Sequence, residues 1–285
     1  MALIDFILNV AALLLWLSQR SLRFDPLFKT PPVTLIGTLR RAEPRRLGRQ
    51  RLGIVLLVLL LLRALFYYEL GSAVEWTPRL NLGVVVLAFR SDSFWAEVAF
   101  SILSFVCVWV VFYFWLLTLA ITNRQKSDAD PIQKLVRLHL GRLGRWPWPT
   151  QVILPLLIVT VLWIALHPVL LFLEVVSPSP ATWHLFEQGL LLGARLYLTL
   201  KYLLPPFLLL YLIVSYVYLG ASPFWDFVSL TATNLLQPLR RLPLRFGRLD
   251  LAPLVGVILI YFFLHLMPRV LQGPLTQHHF SLWPQ

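Results

Sequence analysis

Long apolar runs, separated by polar and basic connections, dominate the chain. A helix that crosses a bilayer needs roughly 20 residues, and six runs reach or approach that length. Lipid admits only helices or closed barrels, and runs this rich in Leu predict helices. The predicted spans are residues 3–17, 53–70, 94–121, 152–176, 202–219 (the membrane part of 190–219) and 251–267. The pattern therefore predicts an all-α, polytopic membrane protein with about six transmembrane helices.

Residues 80–89 form a further apolar run that is too short to cross a bilayer. We interpret this run as a re-entrant piece or an interfacial helix. It lies between the second and third predicted spans.

The polar stretch 222–253 separates the last two spans. Ser222 and Pro223 predict a helix start, because Ser caps free N–H groups and Pro at the first position loses no hydrogen bond. Apolar residues then recur at helical spacing, and a basic end follows. These residues are Phe224, Phe227, Val228, Leu235 and Leu239, then Arg240, Arg241, Arg245 and Arg248. We expect an amphipathic helix that lies flat at a membrane surface.

Composition supports a membrane protein. The 285-residue chain is 58% hydrophobic and 13% charged, whereas soluble domains are about 25% charged. Its mean hydropathy is +0.74. The single cysteine, Cys107, lies in an apolar run, which argues against a disulfide framework or a thiol metal cluster. Residues 1–6 carry no basic side chain, so we do not expect the first run to be a cleaved signal peptide.

The net charge of +12 is concentrated in three connections. Nineteen of the 25 Lys and Arg residues lie between spans one and two, three and four, or five and six. The positive-inside rule explains this distribution without nucleic acid and places these connections in the cytoplasm. Both termini are then expected on the outer side.

The three basic connections resemble one another. Each has a short polar residue followed by Pro, and later basic residues with Gly: Asp25-Pro26, Asp130-Pro131 and Ser222-Pro223, then 39–49, 141–145 and 239–248. The simplest interpretation is three helical hairpins in one orientation, at 1–70, 94–176 and 202–270. The outer connections are then 71–93 and 177–201, and the tail is 271–285.

The third hairpin resembles the YggT family of small bacterial and plastid membrane proteins. The connection in that family reads P-I-R-R, then a Pro-rich stretch and G-x-D-x-S-P. The matching residues here are Pro238-Leu239-Arg240-Arg241 and Gly247-Arg248-Leu249-Asp250-Leu251-Ala252-Pro253. Ala252 replaces the usual Ser, Arg248 stands where a second Gly is frequent, and Asn234 stands where an earlier Pro is common. The first two hairpins match only loosely.

The resemblance implies a non-catalytic factor of the bacterial inner (plasma) membrane, with both termini in the periplasm by the topology above. The family has no settled activity. Its members are linked in different lineages to cell division, osmotic tolerance or the assembly of membrane complexes, including haem-protein maturation.

Basic residues of the connections are the main candidate binding site. Polybasic segments at the inner leaflet gain roughly 1 kcal/mol per charge from anionic lipid. The candidates for lipid or partner binding are Arg40, Arg41, Arg142, Arg145, Arg240, Arg241, Arg245 and Arg248. The alternative is that these arginines only fix the topology. Pro238, Gly247, Asp250 and Pro253 complete the motif, and we expect Asp250 to cap the sixth span or to pair with an arginine.

Two further features lie within or beside the spans. Arg63 lies inside the second span, where a charge is a functional hypothesis by default. We expect it to snorkel outward towards Glu69 or Glu174. Arg195 and Lys201 precede Pro205-Pro206, and we place both at the outer surface.

His167 and His265 lie in the outer parts of the fourth and sixth spans. Two neutral imidazoles on facing helices can ligate a haem iron. The alternative is that each is a hydrogen-bonded packing residue. We expect no cofactor, with haem as the exception to test.

The sequence does not indicate an enzyme. It has no H-E-x-x-H, no phosphate-binding Gly loop and no G-x-S-x-G. Parallel repeats and the lack of a carboxylate at mid-depth also argue against a transporter. The leading hypothesis is a scaffold, assembly factor or accessory subunit that contacts membrane lipids and a larger membrane protein complex, with no nucleic acid partner. The alternatives are a small-solute or ion pathway linked to osmotic response, and a haem-handling maturation factor.

Overall fold

The computed structural model describes residues 2–21, 49–74, 77–82, 85–124, 131–176, 178, 182–217, 220, 222–239, 245–246 and 249–277. The described residues are almost entirely helical. The helices are α1 (Ala2–Ser21), α2 (Arg49–Val74), α3 (Phe94–Thr122), α4 (Pro131–Leu140), α5 (Trp148–Phe172), α6 (Thr182–Leu198), α7 (Leu204–Tyr216), α8 (Pro223–Leu235) and α9 (Ala252–Gln277). Short strands are β1 (Arg79–Asn81), β2 (Val86–Ala88), β3 (Arg245–Phe246) and β4 (Leu249–Asp250).

Five helical segments among the described residues are long and apolar enough to cross a membrane. They are Leu3–Arg20, Gln50–Gly71, Phe94–Thr122, Trp148–Phe172 and Trp183–Tyr216. A shorter apolar segment, Ala252–Phe263, lies in α9. The helical membrane architecture agrees with the prediction, whereas a count of six spans is not established.

The described chain divides into two compact units. The first comprises Met1–Leu80 and Leu87–Val110. Its apolar core is formed by Ala12 of α1, Leu56 of α2 and Phe105 of α3. Trp16 packs edge-on against Trp109, with ring centroids 6.0 Å apart. Three helices therefore share one core in this unit.

The structure differs from the prediction for residues 80–89. These residues form most of a two-stranded hairpin, β1–β2, and no interfacial helix is found there in residues 77–82 and 85–90. The Phe89 amide donates to the Pro78 carbonyl at 2.9 Å. Leu87 and Phe89 are buried, and Phe89 packs on Phe100. Buried and exposed side chains alternate from Val86 to Phe89, which is the pattern of a strand with one buried face and not that of a helix.

The second unit comprises Asn81–Val86 and Val111–Gln285. The C-terminal part of α3 packs on α4 through Leu117, Ala120, Val136 and Leu140. The last of these residues ends α4, and a glycine with φ +57° follows it, as is common after a helix C-terminus. α7, α8 and α9 meet around a second cluster, formed by Leu208, Ala232, Leu236 and Ala252.

Helix α6 lies antiparallel to α5 in the second unit. Trp163 Nε1 donates to Gln188 Oε1 at 3.2 Å. The Tyr197 hydroxyl donates to the carbonyl of Val152, near the start of α5. Residues 177–201 were predicted to be an outer connection, but they contain this helix. Polar residues such as Gln188 interrupt the apolar pattern of α6.

The placement of Arg195 and Lys201 changes with α6. Tyr197, between them, lies beside the beginning of α5, the end that we assigned to the cytoplasmic side. Thr199 accepts a hydrogen bond from Trp115 Nε1 of the C-terminal half of α3. The segment that holds both basic residues therefore lies beside the end of α5 opposite to the one that our prediction implies, and the side of the membrane itself stays a prediction.

The predicted helix start at Ser222 is confirmed. Ser222 Oγ accepts a hydrogen bond from the Phe224 amide at 3.3 Å, and Pro223 is the first residue of α8. Phe227 and Val228 are buried, whereas Phe224 is partly exposed. The predicted amphipathic character of α8 is thus present, with its apolar face against other helices of the unit.

Candidate functional sites

A buried charged cluster forms inside the first unit around Arg63. The residue is only 3% exposed. One terminal nitrogen donates to Asp5 Oδ1 at 2.7 Å and to Ser104 Oγ at 3.1 Å, and the other donates to Asn9 Oδ1 at 2.9 Å. The prediction that Arg63 snorkels outward is therefore wrong. Asp5 and Asn9 on α1 supply partners within the bundle, so the guanidinium turns inward.

The Asp5 carboxylate receives a second donor in this cluster. The Tyr67 hydroxyl donates to Asp5 Oδ1 at 2.5 Å. Asn9 Nδ2 donates to Ser104 Oγ at 2.9 Å. These bonds join α1, α2 and α3. A buried ion pair needs such additional hydrogen bonds, because they offset the free-energy cost of removing both charges from water.

Aromatic rings complete the surroundings of the guanidinium. The Arg63 Cζ atom lies 5.2 Å from the centre of the Phe100 ring and 5.5 Å from that of Tyr67. Such cation–π contacts contribute about 0.5–2 kcal/mol, more when water is excluded. Glu97 lies one helical turn before Phe100 and is completely buried.

A second polar network joins the end of α3 to α4 and α8 in the second unit. The Asn123 amide donates to Thr231 Oγ1 at 2.8 Å, and its oxygen accepts from Asn234 Nδ2 at 2.9 Å. Gln133 donates to the Asn123 carbonyl, and Asn234 Nδ2 also donates to the Thr122 carbonyl at 3.2 Å. We call α4 and α8, held in this way on the end of α3, the connecting platform.

Charged and aromatic groups lie on or beside the connecting platform. Lys134 of α4 and Arg124 after α3 are exposed. Trp146 and Trp148, between α4 and α5, are exposed as well. Trp and Lys or Arg side chains together are typical of a membrane–water interface.

The predicted basic site is only partly within the described residues. Arg40, Arg41, Arg240, Arg241, Gly247 and Arg248 lie outside them. Arg142 and Arg145 lie in a 3₁₀ helix, Gly141–Arg145, at the end of α4. Pro238 is exposed after α8, and Pro253 is buried in the first turn of α9.

Asp250 lies two residues before the last helix, and its expected role as a cap or as the partner of an arginine stays a prediction. α9 begins at Ala252, so Leu251 is the residue directly before the helix. Asp250 lies in β4, where its backbone is opposite Arg245 of β3. The strand pair therefore brings the backbone of one candidate binding residue, Arg245, opposite that of one motif residue, Asp250.

The two candidate haem histidines lie in different surroundings. His167 is buried in α5 beside Trp163, with ring centroids 6.2 Å apart. His265 is exposed on α9. The part of the chain that the structure describes holds no group of three or more His, Cys, Asp or Glu residues placed to bind a metal ion.

Sequence reasoning missed the partners of Arg63. Asp5 and Asn9, Arg63 and Tyr67, and Glu97 and Ser101 are each four residues apart. This spacing puts each pair on one face of its helix. When three apolar helices each carry such a polar stripe, we expect the stripes to face one another in the folded unit.

Comparisons with known proteins give no match. No family model fits the chain, and no curated protein or solved structure is similar to it.

Proposed function

We propose that this protein is a non-catalytic membrane scaffold, assembly factor or accessory subunit. It docks on a larger membrane complex and on inner-leaflet lipid through its basic connections. The observation that carries the proposal is the connecting platform. Two connecting helices are bound to the end of α3 by side-chain hydrogen bonds, so the second and third connections present one joint surface.

Exposed charged and aromatic residues also favour the surface of the connecting platform as a docking site. Arg124, Lys134, Trp146 and Trp148 are exposed on or beside it. Each basic residue near an anionic leaflet contributes about 1 kcal/mol of attraction. Such a surface fits phospholipid headgroups and an acidic patch on a membrane partner. The YggT-like motif Pro238-Leu239-Arg240-Arg241 continues directly from α8.

The test is affinity isolation from gently solubilised native membranes, followed by quantitative mass spectrometry. We expect a membrane complex to accompany the wild-type chain in fixed proportion. In the variant Arg240→Glu/Arg241→Glu, recovery of that complex falls by roughly tenfold or more, which corresponds to about 1.4 kcal/mol. The variant itself stays in the membrane fraction.

The matched control is Arg79→Glu/Arg90→Glu. It makes the same change of charge at exposed positions in and beside the β1–β2 hairpin. This control retains the partner if the basic connection is the docking site. Equal recovery of the partner with Arg240→Glu/Arg241→Glu and with wild type contradicts the proposal.

The second candidate function is a small-solute or ion pathway, favoured by charged groups at membrane depth in the first unit. It predicts flux in liposomes that hold only the purified protein, and loss of that flux in Arg63→Met. Liposomes that stay impermeable to the solutes tested exclude this alternative.

A further inference from the structure

Glu97 is a buried carboxyl group whose oxygens have no hydrogen-bond donor among the described residues. It lies in the first turn of α3 and is 0% exposed. Neither Oε1 nor Oε2 has a partner there. Most buried polar side chains are hydrogen-bonded, so a carboxyl group in this state requires an explanation.

The charged cluster lies beside the same face of α3. Glu97, Phe100, Ser101 and Ser104 recur at helical spacing, and Arg63 contacts the second and fourth of these residues. Among the described residues, the titratable or charged groups that face this region are Asp5 from α1 and Arg63 and Tyr67 from α2. The hairpin presents the apolar side chains Leu87 and Phe89.

The charges of this cluster balance only when Glu97 is neutral. The positive charge of Arg63 is met by Asp5 at 2.7 Å. An ionised Glu97 would add one uncompensated negative charge, which burial penalises strongly. Its position in the first turn of a helix offsets only a small part of this penalty.

We propose that Glu97 is a reversible proton-binding site of the first unit. In the protonated state the carboxylic acid is neutral beside the Asp5–Arg63 pair. On release, the O–H bond breaks, the proton passes to water and a carboxylate remains. That carboxylate competes with Asp5 for the guanidinium, whose Nε–H has no acceptor among the described residues. Proton release therefore redistributes the bonds that join α1, α2 and α3.

The test uses the purified full chain in lipid nanodiscs and dicyclohexylcarbodiimide, which enters the bilayer and reacts with protonated carboxylic acids. Peptide mass spectrometry locates the modified residues at acidic and at alkaline pH. We expect modification of Glu97 at acidic pH, its loss at alkaline pH, and no modification of the ion-paired Asp5. Glu97→Gln removes the modified peptide.

Stability against pH provides a second readout. Because the folded state favours protonated Glu97, the wild-type melting temperature falls as pH rises. Glu97→Gln keeps the shape and the neutral charge, so this part of the pH dependence disappears and the variant is the more stable protein at alkaline pH. Recovery of the docking partner does not depend on Glu97, so the two proposals fail independently.

Three results overturn the proton site. The first is a Glu97 that stays unmodified at every pH while exposed Asp92 reacts with a water-soluble carbodiimide. The second is a melting profile of Glu97→Gln that follows the wild type at all pH values. The third is suppression of the modification by Na⁺ at constant ionic strength and pH, which identifies a metal cation as the ligand.

Discussion

The guanidinium group of Arg63 is held by side chains from two other helices. Its side chain is 1% exposed, and that of its partner Asp5 is 22% exposed. A paired and hydrogen-bonded charge of this kind adds little net stability, whereas removing one partner leaves the other charge uncompensated. We therefore expect the pair to act mainly by selecting which faces of α1 and α2 meet.

Substitutions at the pair test this view. We expect Asp5→Asn to lower the free energy of unfolding by roughly 3 kcal/mol, because it leaves the buried Arg63 charge without its partner. Arg63→Met should lower it by less, because the Asp5 charge that remains is partly exposed. The double variant recovers most of this loss. Unfolding in mild detergent measures all three proteins, and additive losses in the double variant contradict the expectation.

Asp92→Asn is the control for an exposed pair. A hydrogen bond from Arg90 lowers the pKa of the Asp92 carboxyl. Both side chains are more than half exposed, and ion pairs on the surface contribute little to stability. This variant should unfold like the wild type.

At the level of helices, α5 and α6 pack closely against each other in the second unit. A Cβ atom at Gly189 would lie 2.9 Å from Cα and Cγ2 of Thr160. One at Gly193 would lie 3.0 Å from the carbonyl oxygen of Leu156. Two glycines four residues apart let helix backbones approach closely, as small residues do in membrane bundles.

We expect Gly189→Leu to separate α5 from α6, because the backbone of Thr160 occupies the space that the new side chain needs. Overpacking costs about 1–3 kcal/mol, so the melting temperature in detergent should fall. Gly144→Ala is the control, since its Cβ would lie 3.6 Å from Leu140 Cβ, an ordinary contact. Equal melting temperatures for both variants would contradict close helix packing at Gly189.

Sequence reasoning identified the apolar helices and the start of α8, because hydrophobic runs and Ser-Pro starts are local signals. The partner of Arg63 was missed because Asp5 lies 58 residues earlier and pairs with it only in the folded bundle. Helix α6 falls in residues 177–201, which are predicted to be an outer connection, because the partner of its polar residue Gln188 is Trp163, 25 residues earlier, and is found only in the fold. The YggT resemblance and the role of Arg240 and Arg241 stay predictions.

At the level of the whole molecule, the charge distribution sets the expected orientation. The basic connections are predicted to face the cytoplasm. Lys134 on α4 and Arg79 in β1 are both exposed and lie in segments assigned to opposite sides. Their accessibility to a reagent that cannot cross the membrane therefore tests the topology.

Single cysteines at these two positions, in a Cys107→Ala background, make the measurement. We expect an impermeant maleimide to label Arg79→Cys in cells whose outer membrane alone is permeabilised. Lys134→Cys is labelled only after the inner membrane is opened. Labelling of Lys134→Cys in intact spheroplasts reverses the assigned membrane orientation. The connecting platform would then face away from the cytoplasm.

The Asp5–Arg63 pair also affects how the chain enters the bilayer during synthesis. Arg63 inside an isolated α2 carries an insertion cost, which reaches about 2.5–3.5 kcal/mol for an arginine at the centre of a membrane helix. α1 precedes α2 and carries the carboxylate that neutralises this charge at 2.7 Å. The favourable route is therefore lateral release of α1 and α2 as a helical hairpin, with the salt bridge already formed. A ribosome-bound α2 without Asp5 should stay longer at the translocon before it partitions into lipid.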